Sequence, residues 1–288
     1  MQKVLILGST GMLGHQVFFN LESSEEFEIF DLSFRNKLRE ETIICDITDF
    51  NKLEGIIKEI VPDVIINCIG ILIKGSNQNP KNSILINAYF PHWLMSIADE
   101  IDSKVIHIST DCVFSGKKGA YVESDFRDAD DVYGRGKALG ELFSEKHLTL
   151  RTSIIGPEIK QNGEGLFHWF MNQKAETNGF TKALWGGVTT TELSKSIRKA
   201  IDEDLNGLYH ITNGVAISKF DLLNLFNKTF ERGLKINAIE GKRVDKSLKS
   251  EKIDVDFAIP SYEFMIKEMK DHMEKNNSIY SSIYPDAG

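Results

Sequence analysis

Short apolar runs separated by amphipathic stretches organise this chain. Lys3 to Leu7 reads as a buried strand that ends at a glycine turn, and apolar positions through Val17 and Leu21 follow at helical spacing. Phe27 to Leu32 predicts a second strand and Thr42 to Cys45 a third. A helix across Leu53 to Ile60 and a continuous apolar strand from Asp63 to Ile69 come next. The pattern goes on with a helix through Asn87 to Ala98, a strand Val105 to Ser109, a helix Tyr133 to Phe143 and a strand Leu148 to Ser153. Apolar-rich strands that alternate with helices predict an α/β fold, with a doubly wound parallel sheet covered on both faces.

After Ile155 the alternation loosens. Gly156-Pro157 and Gln161-Asn162-Gly163-Glu164-Gly165 read as loop, and Trp169, Phe170, Phe180 and Trp185 concentrate aromatics nearby. Later elements are a helix Leu193 to Ile201, a strand Gly207 to Ile211, a helix Lys219 to Phe230 capped by Ser218, and a helix Tyr262 to Met273. The tail after Lys275 is expected to pack poorly.

Composition narrows the classes of function. The 288 residues carry 34 Lys and Arg against 42 Asp and Glu, a formal charge of -8. That balance argues against sequence-independent nucleic-acid binding, which needs clustered cations to displace counterions. The opening Met-Gln-Lys-Val-Leu-Ile-Leu-Gly holds too short an apolar run for a signal peptide or a membrane span, so a cytoplasmic location and no membrane partner are expected. Cys45, Cys68 and Cys112 show no metal-ligand spacing, and Cys45 and Cys68 read as buried reduced thiols; no metal site is expected.

Gly8-Ser9-Thr10-Gly11-Met12-Leu13-Gly14 directly follows the first strand and opens a helix. In that context the glycines let backbone approach a dinucleotide pyrophosphate, while the helix N-terminus offers free N–H groups and a positive dipole end. Gly8, Thr10, Gly11, Met12, Leu13 and Gly14 are the candidate seat, in a Rossmann-type sheet. Past the second strand, Asp31 would suit the free ribose hydroxyl of NAD, whereas Ser33 and Arg35 would suit the extra phosphate of NADP. NADP is favoured and NAD kept as the alternative.

Tyr133 and Lys137 stand four residues apart, on one helix face. An ammonium ~4 Å from a phenol at an effective dielectric of ~20 favours phenolate by ~4 kcal/mol, or ~3 pKa units, bringing the tyrosine toward a working pH. Ser109-Thr110-Asp111 closes a buried strand at the sheet edge where α/β folds bind ligands, so a hydroxyl there could orient a substrate carbonyl.

With these residues assembled the chain resembles the extended short-chain dehydrogenase/reductases, and among them the dTDP-4-dehydrorhamnose reductase-like nucleotide-sugar reductases. The resemblance rests on Gly8 to Gly14, Asp46-Ile-Thr-Asp49, Pro62 to Asn67, Ser109 to Gly116, Tyr121 to Asp125, Tyr133 to Glu141, Arg151-Thr-Ser153 and Gly207 to Ile211. It implies that Thr110 binds the reacting carbonyl, Tyr133 protonates the forming alkoxide, and Lys137 tunes Tyr133 and holds the cofactor ribose. It further implies that Asp46 and Ile47 line the adenine and that Cys68, Ile69 and Gly70 pass beside the nicotinamide. The implied reaction is hydride transfer to C4 of a nucleotide-linked 4-keto-6-deoxy sugar in bacterial polysaccharide or glycan synthesis. Residues 1–154, completed by 187–213, would form the dinucleotide-binding domain, and 155–186 with 214–288 a smaller C-terminal substrate-binding lobe. A homodimer stays open.

The chain departs from the resemblance at Cys112, where many relatives carry an aromatic, and at Ile154, where a tryptophan is expected. Cys112 with His168 suggests an alternative, a bifunctional epimerase/reductase in which thiol and imidazole exchange protons beside the keto group; a packed thiol and a surface histidine carry more weight. A non-catalytic NADP-binding regulatory subunit is the other alternative. Asp111, Cys112, His168 and Trp185 are the candidate substrate contacts. Trp185 is favoured because Gly186 and Gly187 beside it would admit a ligand, against the plainer reading of core packing.

Overall fold

The alternation of apolar strands and amphipathic helices builds a seven-stranded sheet in the computed structural model, which describes residues 1–285. In chain order the elements are β1 (Gln2–Leu7), α1 (Gly14–Glu22), β2 (Phe27–Ser33), β3 (Ile43–Ile44), α2 (Phe50–Ile60), β4 (Val64–Asn67), α3 (Ile73–Gln78) and α4 (Pro80–Ile84). A π-helical turn, Leu85–Tyr89, leads into α5 (Phe90–Glu100), β5 (Lys104–Thr110) and a 3-10 turn, Asp111–Val113. Then come α6 (Val132–Leu139), β6 (Leu148–Thr152), β7 (Ile154–Ile155), α7 (Leu166–Met171), β8 (Glu176–Phe180), β9 (Ala183–Trp185), β10 (Val188–Thr189) and α8 (Thr190–Asp202). The chain closes with β11 (Gly207–His210), β12 (Ile217–Ser218), α9 (Lys219–Thr229), β13 (Lys235–Ile239), β14 (Val244–Asp245), α10 (Tyr262–Lys275) and α11 (Asn277–Tyr280).

The sheet order is β11-β6-β5-β4-β1-β2-β3, with β1 parallel to β2 and β4, β4 parallel to β5, and β2 parallel to β3. Successive side chains face opposite sides of a strand, so Leu5 and Leu7 join Leu32, Ile65 and Val105 on the face that Leu53 and Ile57 of α2 and Phe90, Leu94 and Ile97 of α5 cover. Helix α1 packs on β1 and β2 with Val17 and Leu21 fully buried. In register, Leu7, Asn67 and His107 stand side by side on β1, β4 and β5, so the loops leaving all three strands emerge at one sheet edge.

The chain divides into two units. The first is Met1–Val113, Arg127–Arg151 and Ser194–Tyr209; the second is Phe114–Phe126, Thr152–Leu193 and His210–Gly288. Phe114–Phe126 thus groups with the second unit, a segment that the sequence pattern placed in the first. Within the second unit, β12-β9-β14 form one small sheet and β8 and β13 a parallel pair. Phe167 and Phe170 of α7 pack against Phe226 of α9, and Phe167 also meets Phe230 and Tyr284. Tyr280 and Tyr284 are buried, which corrects the expectation of a poorly packed tail: their rings bury apolar area that outweighs the cost of ordering the segment.

Helix α6 ends at Leu139 with Gly140 as its C-cap, earlier than the apolar spacing to Phe143 predicts. A Cβ on Gly140 would lie 2.0 Å from the Asn87 carbonyl oxygen, and one on Gly136 would lie 3.4 Å from the Asn87 Cβ. A Cβ on Gly134 would lie 2.3 Å from the Cys112 carbonyl oxygen. Glycines that are poor helix formers are tolerated here because they let α6 approach the π turn and the end of β5 at backbone distance. Gly140→Ala is expected to cost about 1–3 kcal/mol in urea unfolding. Gly55→Ala, in exposed helical backbone with nothing within 4 Å of its Cβ position, is expected to gain up to about 1 kcal/mol; equal effects at both sites would refute the close-approach explanation.

Candidate active site

The turn after β1 is held by its own backbone. Gly8 sits at φ +86°, a left-handed conformation that disfavours a side chain, and its N–H donates to the Leu32 carbonyl at 2.8 Å. A Cβ on Gly14 would lie 2.1 Å from the Gly8 oxygen, so Gly14 lets α1 begin directly against the turn. No side chain caps that helix start, and in its first turn the His15 N–H reaches back to the Gly11 carbonyl at 3.4 Å. Thr10 and Leu13 are buried, and Gly11 and Met12 half-buried. The buried His15 was not anticipated: its ring Nδ1 bonds the Gly11 carbonyl at 2.7 Å, and its other nitrogen meets Gln16 Nε2 at 3.1 Å. A polar pair immediately after a glycine turn, on a helix otherwise apolar toward the sheet, was the available signal.

Asp31, the acid that would suit the free ribose hydroxyl of NAD, is occupied elsewhere. Asp31 is 1% exposed and accepts from Arg39 Nε at 2.9 Å. Arg39 also donates to the Ile29 carbonyl at 2.6 Å and lies over the Phe18 ring. The Ser33 hydroxyl donates to the Asn36 carbonyl, while Arg35 is exposed with its guanidinium over the Phe34 ring. Sequence spacing identified the region but not Arg39, which comes eight residues after the carboxylate it neutralises.

Asp46 is exposed and accepts from the Thr48 N–H and hydroxyl at 2.9 and 2.8 Å, while Ile47 beside it is buried. On the next strand, Asn67 Oδ1 accepts from the Ile69 N–H at 3.1 Å. Asn87, in the π turn, accepts from the Ile71 N–H at 2.9 Å and donates to the Ile71 carbonyl at 2.8 Å. Two asparagine amides therefore hold the Cys68-Ile69-Gly70 stretch from both ends.

Thr110, Tyr133 and Lys137 come together where β5 meets α6. Asp131 caps α6 by accepting from the Gly134 N–H at 2.8 Å, which orients Tyr133 in the first turn. Tyr133 shares a hydrogen bond with Thr110, whose hydroxyl also donates to Asp111 at 3.1 Å. The expected coupling of phenol and ammonium is not what the structure contains. Burial pushes the Tyr133 phenol above its ordinary value, with Cys112, Asp111 and Asp131 adding to the shift and Thr110 opposing it. Lys137 turns inward instead, 2.7 Å from the Ile108 carbonyl and 3.2 Å from His107 Nε2, and burial lowers it to about 8. The four-residue spacing sets a shared helix face; it does not decide which way a long side chain bends within that face.

Beneath Thr110 lies a buried ionic cluster. Glu141 Oε1 accepts from the Ser109 hydroxyl at 2.6 Å and from Arg151 Nε at 2.8 Å. Its Oε2 accepts from Arg151 Nη2 at 2.7 Å and from Arg127 Nη1 at 3.0 Å. The carboxylate thus ties the end of β5 to β6 just past α6, and sequence reasoning gave these residues no role.

The remaining candidates divide between the two units. Asp111 is buried and Cys112 half-buried, its N–H donating to the Thr110 hydroxyl at 3.1 Å. In the second unit His168 is buried rather than on the surface, its Nδ1 3.0 Å from the Tyr284 hydroxyl, which also accepts from the Glu158 N–H. Trp185 donates to Ser153 at 2.9 Å and packs on Tyr262. The space beside its glycines is filled by the protein itself: a Cβ on Gly187 would lie 2.0 Å from the Ser153 carbonyl oxygen, and one on Gly186 2.9 Å from the Ser247 Cα. These glycines serve packing, which corrects the argument that they admit a ligand.

A family model for the RmlD substrate binding domain matches residues 1–255. The chain belongs to this family. The expected resemblance to extended short-chain dehydrogenase/reductases of the dTDP-4-dehydrorhamnose reductase type is borne out. The chain is 27% identical to the dTDP-4-dehydrorhamnose reductase of Escherichia coli K12, over 96% of this chain and 99% of that protein. It is also 27% identical to the probable low-salt glycan biosynthesis reductase Agl14 of Haloferax volcanii, over 75% of this chain and 76% of that protein. Among solved structures, the dTDP-4-dehydrorhamnose reductase of Bacillus anthracis in complex with NADP superposes with a TM-score of 0.80 at 23% identity, covering 94% of this chain and 99% of that one.

Replacing Glu141 by Ala is expected to cost about 3–5 kcal/mol in urea unfolding, because Arg151 would stay buried without its carboxylate; a loss below about 1 kcal/mol would show that the cluster contributes little. Lys137 gives a pH signature of defined sign. Its value is lowered from 10.5 to about 8. Between those values the unfolded chain holds a proton that the folded chain has released, so this group makes stability rise with pH across that window. Chemical unfolding from pH 7 to 11 is expected to show that rise in the native chain relative to Lys137→Met, and a difference that stays flat would contradict the lowered value.

Proposed function

We propose that this chain reduces the 4-keto group of a nucleotide-linked deoxy sugar at the expense of NADPH, in polysaccharide or glycan synthesis. The observation that carries the reading is the convergence of Thr110, Tyr133 and Lys137 at the sheet edge where the glycine turn also opens. Membership of the RmlD family and the similarity to dTDP-4-dehydrorhamnose reductases support the substrate class. The NADP held by the Bacillus anthracis relative supports the cofactor, and NAD is retained as the alternative.

The residues present fit a dinucleotide. The left-handed Gly8, the closeness of Gly14 to the turn and the uncapped start of α1 form a cradle that side chains would fill, with N–H groups suited to a pyrophosphate. Gly8, Thr10, Gly11, Met12, Leu13 and Gly14 would hold it there. Asp46 and Ile47 would lie at the adenine and Cys68, Ile69 and Gly70 at the nicotinamide. Burial of Asp31 on Arg39 removes the acid that would favour NAD, and exposed Arg35 is placed to meet a ribose phosphate. In this reading the first unit carries the cofactor and the second much of the sugar-nucleotide site.

The cofactor, when bound, supplies the hydride that reaches the sugar C4. Thr110 orients the keto oxygen, and Tyr133 gives its hydroxyl proton to that oxygen as the alkoxide forms. Burial keeps the phenol protonated, so it is poised as a general acid, the role a reduction requires. Lys137 contributes by hydrogen bonding at the cofactor ribose and by its position on the Tyr133 face of α6. The arrangement of His168 on Tyr284 supports a packed imidazole, so reduction without epimerisation is the preferred reading.

NADPH oxidation with dTDP-, GDP-, UDP- and CDP-linked 4-keto-6-deoxy sugars tests this. Native protein is expected to turn over at least one of them, and Tyr133→Phe to lose about 10²–10⁴-fold in rate with NADPH binding kept. Solvent deuterium at C3 or C5 of the product, dependent on Cys112, would replace simple reduction by the epimerase/reductase. NADPH binding with no turnover of any sugar would favour the regulatory subunit.

A further inference from the structure

Behind Lys137 lies a buried polar pair, Asn67 and His107, that the proposed reduction does not use. Asn67 and His107 are register partners on the adjacent strands β4 and β5, and both are at most 1% exposed. The Ile69 N–H donates to Asn67 Oδ1 at 3.1 Å, and a backbone N–H can only donate, so it fixes which end of the amide is oxygen. The other end, Asn67 Nδ2, is therefore the atom 3.1 Å from His107 Nδ1. Since Nδ2 only donates, His107 Nδ1 carries a lone pair, and the neutral ring holds its proton on Nε2. That N–H points at Lys137 Nζ, 3.2 Å away. Two N–H groups cannot satisfy each other, so this arrangement takes Lys137 as an amine with a free lone pair, donating its own hydrogen to the Ile108 carbonyl at 2.7 Å.

We propose that His107 is a positioning residue that couples the charge of Lys137 to the Cys68-Ile69-Gly70 loop: Lys137 gains a proton only when the His107 tautomer reverses and the Asn67 amide turns, releasing the Ile69 N–H. An ammonium at Lys137 must donate to Nε2, which places the ring proton on Nδ1. Nδ1–H then needs an oxygen from Asn67, and turning the amide to supply it sets Nδ2 against the Ile69 N–H. The ring stays neutral in both states, and one proton is gained at Nζ while another moves from Nε2 to Nδ1.

The charged and titratable groups around this chain keep the assignment. Glu141 and Cys68 face Lys137; the carboxylate is already paired with Arg151 and Arg127, and burial raises the Cys68 thiol to about 12. Lys137 and His92 of α5 face His107, which burial holds well below its ordinary value, so a charged ring is disfavoured throughout. For its effect on catalysis the inference rests on the proposed reduction, since it is there that the loop borders the nicotinamide and Lys137 the ribose.

The test is ¹⁵N NMR of the histidine rings in the full chain from pH 6 to 10, with His107 assigned through its backbone. The expected result is a neutral ring whose proton moves from Nδ1 to Nε2 as pH rises through about 8, the value of Lys137, with the Ile69 amide resonance shifting in the same interval. In Asn67→Asp, a carboxylate accepts from both the Ile69 N–H and His107 Nδ1–H. That variant should hold the Nδ1–H tautomer over the whole range and move the transition of kcat/KM for NADPH oxidation up by at least one pH unit. One unchanged tautomer in the native chain, a charged ring, or an Ile69 amide that stays still overturns the proposal, and so does a kcat/KM profile in Asn67→Asp that matches the native one. A tautomer change in a chain that turns over no sugar would leave the coupling intact and count against the reductase reading alone.

Discussion

The close approach of α6 to the π turn and to the end of β5 is the constraint on which the site depends. Two glycines, at 134 and 140, permit contact at backbone distance, where an added methyl would meet the carbonyl oxygen of Cys112 or Asn87. Helix-forming tendency is given up for this, as glycine is among the weakest residues in a helix. In return Tyr133 reaches Thr110, and Lys137 enters the sheet edge far enough to meet the Ile108 carbonyl. A helix carried at ordinary side-chain separation would hold the same residues several ångströms from the strand they serve.

Buried polar groups then turn proximity into fixed geometry. Asn67, Asn87, His107 and Glu141 are each at most 1% exposed, and each bonds to backbone or to another buried polar group. Leaving any of them unsatisfied would cost about 1–3 kcal/mol, so a change of partner at one group is felt by its neighbours in the network. Its elements tie the loop after β4, the end of β5 and the helix α6 into one arrangement. The turn after β1 is pinned separately by His15 on the Gly11 carbonyl.

How legible this was in the sequence varied with the range of the interaction involved. The strands from Lys3 to Leu7 and Val105 to Ser109 could be read because each is a mainly apolar run, as a strand covered on both faces requires. The cap at Ser218 could be read because it lies three residues from the N–H it accepts. The small strands β8, β9, β13 and β14 could not, since each is short and is stabilised by partners distant in sequence, as Glu176–Phe180 is by Lys235–Ile239. Asp31 was visible and Arg39 was visible, but their pairing was not. The tail was misjudged because its polar spacing hides two tyrosines that bury their rings against α7 and α10.

What the sequence by itself determined was the class of fold, the position of the glycine turn, and the identity of Thr110, Tyr133 and Lys137 as residues brought to one edge. These follow from local periodicity, from backbone conformations that glycine favours, and from motifs whose residues lie within a turn of one another. Tertiary structure alone decided which partner each polar side chain takes. Lys137 turned from Tyr133 to His107 because, once buried, an amine bonds to whatever acceptors and donors the packed strands present, and those come from residues about thirty positions away. Hydrogen-bond partnership in a dry interior is set by three-dimensional proximity and the cost of desolvation, and neither is written in the spacing along the chain.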